Sequence, residues 1–236
     1  MKTINAGKID PSIKGVLEKL VNLDLNFCVI GGLLCQYYLK GHARYTKDVD
    51  ILFYAEQKDV EEKLRKAFGK ISFSCSDGTE SFYEPYFTCL TKVNGLMGQI
   101  EGKKISFLSK IRTEQYSYEG ISFKGVCLEY AIAEKLIPLL SELPRPSKHL
   151  VDIYSFTKLD SSLLDKEEIR RYVSLINAEE NEFRKGIDLT EYHLPKQIPH
   201  DKIFTPPFII PALQSKHNVT KEEMILEVNE WLKAIL

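Results

Sequence analysis

The sequence predicts an α+β protein, with a mixed β-sheet flanked by helices in its first half and a helical region in its second. Three observations lead there. Short runs of β-branched and aromatic residues alternate with helical repeats in the first half, the pattern turns helical beyond residue 127, and a capped amphipathic segment closes the chain. The expected division is a core over 1–127 and a helical region over 128–236. The stretch 194–211 holds five of the ten prolines and reads as an extended linker on the surface.

The elements follow in order. Asp10-Pro11 is a helix start, and Ile13, Val16, Leu17, Leu20 and Val21 recur on one helical face. Asn26–Ile30 reads as a buried strand running into Gly31-Gly32, after which Leu33–Lys40 reads as a helix closed by Gly41. Val49–Tyr54 is a second strand, and Gln57–Phe68 a helix ended by Gly69. Four further strands are expected at Ile71–Cys75, Tyr86–Val93, Lys104–Leu108 and Ile121–Val126, with Gly95–Lys104 as a flexible loop. Helices are expected at Tyr130–Leu140, interrupted by Pro138, at Lys148–Leu159 and at Lys166–Ile176. The last helix starts at Thr220, capped by its own side chain and by Glu223, and its apolar face should dock on the body.

Composition excludes several classes. Thirty-two Lys+Arg against thirty-three Asp+Glu give a net charge of -1, so no global field draws the chain to nucleic acid or an anionic membrane. Cys28, Cys35, Cys75, Cys89 and Cys127 are scattered, without a CxxC pair, which fits a reducing, cytoplasmic setting better than a disulfide framework. His149, His193, His200 and His217 have no metal-binding spacing. No stretch approaches the ~18 apolar residues of a membrane span.

The chemistry concentrates between Val29 and Phe53. Two glycines between a strand and a helix let the backbone approach a phosphate, and the helix tip adds unpaired N–H groups and a positive dipole end. Asp48 and Asp50, two apart on an extended strand, project from one face with Cα atoms ~6.5 Å apart. Two such acids repel unless a cation sits between them, and Mg²⁺ or Mn²⁺ suits their hard oxygens and a polyphosphate partner. Arg44, Thr46 and Lys47 just before them offer phosphate contacts. His42 reads equally as a loop residue or a phosphate contact. Phe82, Tyr83, Tyr86 and Phe87 read either as a base-stacking cluster or as core.

The order GG, helix, R-x-T-x-D-x-D, strand resembles the DNA polymerase β-type nucleotidyltransferase superfamily, and more closely its AbiEii/AbiGii-like toxin branch. A second match lies at Ala133-Glu134-Lys135-Leu136, followed by Arg145, Lys148 and the run HLVDIYSF with Asp152. The resemblance implies a nucleotidyltransferase fold and metal-dependent transfer of a nucleoside monophosphate from an NTP to a hydroxyl acceptor. In the toxin branch that acceptor is a tRNA end or a protein, with an antitoxin as partner. It also implies that Lys135 faces the nucleotide phosphates and that Asp152 orients basic groups or takes part directly.

Two positions depart from the family pattern. Leu33 follows the glycines where a small hydroxyl residue is usual, and Ser106 stands where a third acid is expected, with Glu101 or Glu84 as substitutes. These departures keep open a catalytically degenerate module that binds nucleotide or protein without turnover. A small-molecule nucleotidyltransferase of the aminoglycoside-modifying kind is a third reading.

Overall fold

The computed structural model describes residues 1–5, 9–39, 45–75, 87–140, 145–146, 148–183, 203–204 and 219–235. The chain forms two compact units, Met1–Cys127 and Leu128–Leu236.

In the first unit the strands are β1 (Lys2–Ile4), β2 (Phe27–Ile30), β3 (Val49–Phe53), β4 (Ile71–Cys75), β5 (Phe87–Val93), β6 (Leu96–Lys104), β7 (Thr113–Tyr118) and β8 (Ile121–Val126). The helices are α1 (Ser12–Leu20), α2 (Gly32–Leu39) and α3 (Gln57–Phe68). The strands make one mixed sheet in the order β1-β7-β8-β2-β3-β6-β5-β4. β2 and β3 pair antiparallel, whereas β3 and β6 run parallel with Asp50 beside Glu101. Alternation sorts the side chains: Val49, Ile51 and Ile100 are fully buried on one face, where α1 packs against β3 and β6. Asp50 and Glu101 are half-buried on the other.

Two expectations fail in the same place. Gly95–Lys104 is not a flexible loop; it contributes nearly all of β6, and the strand expected at Lys104–Leu108 is already over at Lys104. The reason is that two of the three buried positions of β6, on either side of Ile100, are glycine, which breaks the apolar alternation a strand normally displays. A Cβ on Gly98 would lie 2.6 Å from Val16, and one on Gly102 would lie 2.1 Å from the Phe87 ring. Helix α1 and Phe87 occupy the space that side chains would have taken. The connection between β5 and β6 has Asn94 at φ 51° and Gly95 at φ 84°, the geometry of a tight hairpin turn. Glu119 and Gly120 repeat it between β7 and β8. Neither β1 nor β7 was expected, since β1 is three residues long and β7 is largely polar.

In the second unit the helices are α4 (Leu128–Leu140), α5 (Lys148–Thr157), α6 (Lys166–Phe183) and α7 (Lys221–Ile235). Helix α4 continues through Pro138 rather than breaking there. It packs on α5 and α6, with Tyr130 edge-on to Tyr172 at 5.2 Å. Helix α6 runs seven residues past the expected Ile176, because Asn177–Phe183 contains neither glycine nor proline to stop it. The capping box of α7 is formed: Thr220 N–H donates to Glu223 at 2.6 Å and Glu223 N–H donates to Thr220 Oγ1 at 3.2 Å. Met224, Ile225, Val228, Leu232 and Ile235 are buried as α7 packs on α5 and α6. Of the proline-rich stretch, Ile203–Phe204 (β10) pairs in parallel with Arg145–Pro146 (β9); the rest lies outside the described residues. Among the described residues no helix is long and apolar enough to cross a membrane.

Candidate active site

The turn from β2 into α2 meets the first acids directly. Gly31 adopts φ +73°, a conformation that costs a residue with a side chain. A Cβ there would lie 1.9 Å from Asp50 Oδ2, so glycine alone lets the turn and the carboxylate share this space. Asp50 stands opposite Ile30 in the antiparallel pair, which fixes this closeness by register.

Asp48 sits at a bend one residue before β3, and the approach to it is tied down. Asp10 N–H donates to Thr46 O at 2.8 Å, Ile9 bridges Thr46, and Tyr45 donates to Asp10 Oδ2 at 2.8 Å. The other oxygen of Asp10 accepts from Ser12 N–H at 2.9 Å and Ser12 Oγ at 2.7 Å. Those Ser12 bonds, with the Tyr45 hydroxyl, hold the Asp10 carboxyl below the usual carboxylate range. Thr46 is fully buried, and its hydroxyl faces Gly32, where a Cβ would come within 2.7 Å. It also accepts from Gln36 at 3.4 Å. Thr46 therefore packs beneath the glycine turn.

The third carboxylate comes from β6. Each of Asp48, Asp50 and Glu101 offers an oxygen within 4.8 Å of the others, and all three are half-buried. The expected deficit at Ser106 is thereby corrected: Ser106 lies beyond the end of β6, and the acid neighbouring Asp50 is Glu101, inside the strand. Gln99, two residues earlier on the same face, donates to Glu101 Oε1 at 2.6 Å. Thr88 of β5 lies opposite Glu101. Gln99 was missed along with its strand, and the Asn94-Gly95 dipeptide was the signal that could have found both.

Three like charges this close repel one another strongly in a partly desolvated setting. An oxygen-only donor set of this kind fits a hard divalent cation such as Mg²⁺ or Mn²⁺.

The remaining expected residues divide. Lys47 is exposed just before Asp48, and Leu33 is fully buried in the first turn of α2, where it anchors the helix. Phe87 is core, stacked with Phe73 at 5.0 Å. Arg44, His42, Phe82, Tyr83, Glu84 and Tyr86 lie outside the described residues. Lys135 and Asp152 belong to the second unit and pair with each other: Lys135 Nζ is 4.0 Å from Asp152 Oδ2, with side chains 5% and 1% exposed.

No protein-family model matches the sequence, and no curated protein matches it. Solved structures do resemble the fold. One is MenT4, a nucleotidyltransferase toxin from Mycobacterium tuberculosis, with 14% identity, 94% of this chain and 89% of that chain covered, and a TM-score of 0.53. Another, from H. pylori and provisionally assigned to the nucleotidyltransferases, has 13% identity, 94% and 91% coverage, and a TM-score of 0.50. The chain has a nucleotidyltransferase fold, a mixed sheet flanked by helices.

Proposed function

We propose that this chain is a metal-dependent nucleotidyltransferase that moves a nucleoside monophosphate from an NTP to a hydroxyl acceptor. The observation that carries the proposal is the convergence of Asp48, Asp50 and Glu101 within 4.8 Å beside a glycine turn at a helix start. Catalytic sites of this reaction type act by positioning and charge stabilisation rather than by covalent chemistry of the protein. A divalent ion held by the three carboxylates would supply the positive charge that the transferring phosphoryl group needs.

The chain's own groups do the rest. The Gly31-Gly32 turn offers its backbone and the first N–H groups of α2 to the triphosphate, and Lys47 and Arg44 are assigned to its negative charge. Thr46 holds the turn from below. Glu101 accepts the proton of the acceptor hydroxyl as its oxygen bonds to the α-phosphorus and the bond to pyrophosphate breaks. Gln99 holds one oxygen of Glu101 during that transfer. By its likeness to the toxin branch, the acceptor is a tRNA end or a protein, with an antitoxin as binding partner.

Incubating the protein with labelled NTPs, Mg²⁺ and total cellular RNA or protein tests the reading. Label should enter one acceptor with release of pyrophosphate. Asp50→Ala should abolish it, and Glu101→Gln should slow it about 10²–10⁴-fold. Equal labelling by wild type and Asp50→Ala would refute the proposal. Leu33, standing where a hydroxyl contact is usual, favours one other reading, a nucleotide-binding module without turnover. Mg²⁺-dependent NTP binding with no pyrophosphate release from any acceptor would establish that instead.

A further inference from the structure

Away from the three acids, the first unit gathers aromatic rings around a half-buried charged group. The rings of Tyr37, Tyr38 and Tyr116 stand nearly perpendicular to one another, with interplanar angles of 81°, 83° and 78° and centroids 5.1–6.3 Å apart. They form three walls of a box. The ammonium of Lys2 lies between them, 5.4, 4.9 and 5.7 Å from the three centroids, which is cation–π range. It forms an ion pair with Glu114 and donates to the Tyr38 hydroxyl at 3.2 Å. The hydroxyls of Tyr38 and Tyr116 each lie 3.0 Å from Glu114 Oε2.

We propose that Tyr37, Tyr38, Tyr116 and Glu114 form a binding site for primary alkylammonium groups, in which Lys2 is the resident ligand. Every wall favours a cation: three π-faces, one carboxylate, and a helix end, since Tyr37 and Tyr38 lie in the last turn of α2 where the dipole is negative. Burial alone would push the Glu114 carboxyl up, but the hydrogen bond and charge of Lys2, with the two tyrosine hydroxyls, bring it below its ordinary value. The carboxylate is therefore the form the cage contains. Lys2 arrives on β1, an edge strand of three residues held only by β7 in the sheet. The cage thus fastens that edge strand to the far end of the helix that begins at Gly32.

The test is chemical rescue. Lys2→Ala removes the three outer methylenes and the ammonium, which n-propylammonium replaces. Amide exchange of residues 2–4 and of α2 should accelerate at least about tenfold in Lys2→Ala. Millimolar n-propylammonium should reverse this saturably, whereas sodium at equal ionic strength should not. Adding Glu114→Gln should weaken the rescue by about tenfold or more. Should Lys2→Ala not fold, Lys2→Met keeps the stem without the charge, and its exchange in β1 should still be at least about fivefold faster than wild type. Wild-type exchange in either variant, or rescue by sodium as strong as by n-propylammonium, would overturn the proposal.

Discussion

The molecule handles its acids in two opposite ways. In the first unit Asp48, Asp50 and Glu101 are brought together half-exposed, like charge against like charge. In the second, Asp152 is 1% exposed and set beside Lys135, whose side chain is 5% exposed. A buried carboxylate needs a fixed counter-charge within the protein, or it would neutralise or unfold its surroundings. A half-exposed cluster of like charges lowers its energy by taking a cation from solvent. The difference separates an acid compensated inside the fold from acids that are placed to take a cation.

The sharpest way to break this contrast is to remove the buried acid. Asp152→Ala leaves the Lys135 ammonium inside the second unit without its carboxylate, and should cost about 3–5 kcal/mol in denaturant unfolding. A cost below about 1 kcal/mol would mean that the pair is not the internal compensation argued for it.

The same experiment at the cluster should move stability the other way. In the presence of a chelator, Asp48→Asn relieves repulsion and should raise the melting temperature by about 1–4 °C, while abolishing tight Mn²⁺ binding. A lower melting temperature would show that Asp48 contributes to the fold. Gly31→Ala lies between the two cases. It forces a left-handed backbone on alanine, at about 1–2 kcal/mol, and drives a methyl into Asp50. Mn²⁺ affinity should fall with stability, measured by titration calorimetry alongside unfolding. Loss of stability with unchanged Mn²⁺ affinity would detach the turn from the acids.

The contrast also bears on what a sequence discloses. Gly31-Gly32, Asp48 and Asp50 were legible because a short segment contains them and register then brings Asp50 to Gly31. Glu101 reads from the sequence as part of a loop, since its place in β6 depends on a parallel pairing with β3 across roughly fifty intervening residues that no local pattern encodes. The glycines at 98 and 102 hid that strand further by leaving two of its three buried slots empty of side chains. Helices α3 and α7, by contrast, carry periodicity in their own residues, with Gly69 closing the one and the Thr220–Glu223 box opening the other, and their starts and ends could be read to within a residue or so. The Lys2 cage was illegible for the same reason as Glu101: it gathers residues 2, 37, 38, 114 and 116 from three elements.

The smallest expected effect concerns the segment that carries Asp48. Asp10 accepts from Ser12 at the start of α1, and its N–H holds Thr46 O. Asp10→Ala keeps the backbone bond but removes the carboxylate from Ser12 and Tyr45, and should cost about 1 kcal/mol, as the loss of a helix-start acceptor does. Because the folded carboxyl sits below its ordinary value, its contribution is complete above the ordinary carboxylate range. It disappears as pH falls through the lowered folded value. The stability gap between wild type and Asp10→Ala should therefore be constant at neutral pH and close in acid, a difference readable from paired urea titrations. A gap that stays open below the lowered value would show that the ionised carboxylate is not what anchors the segment, whereas the backbone bond with Thr46, common to both proteins, cancels from the difference.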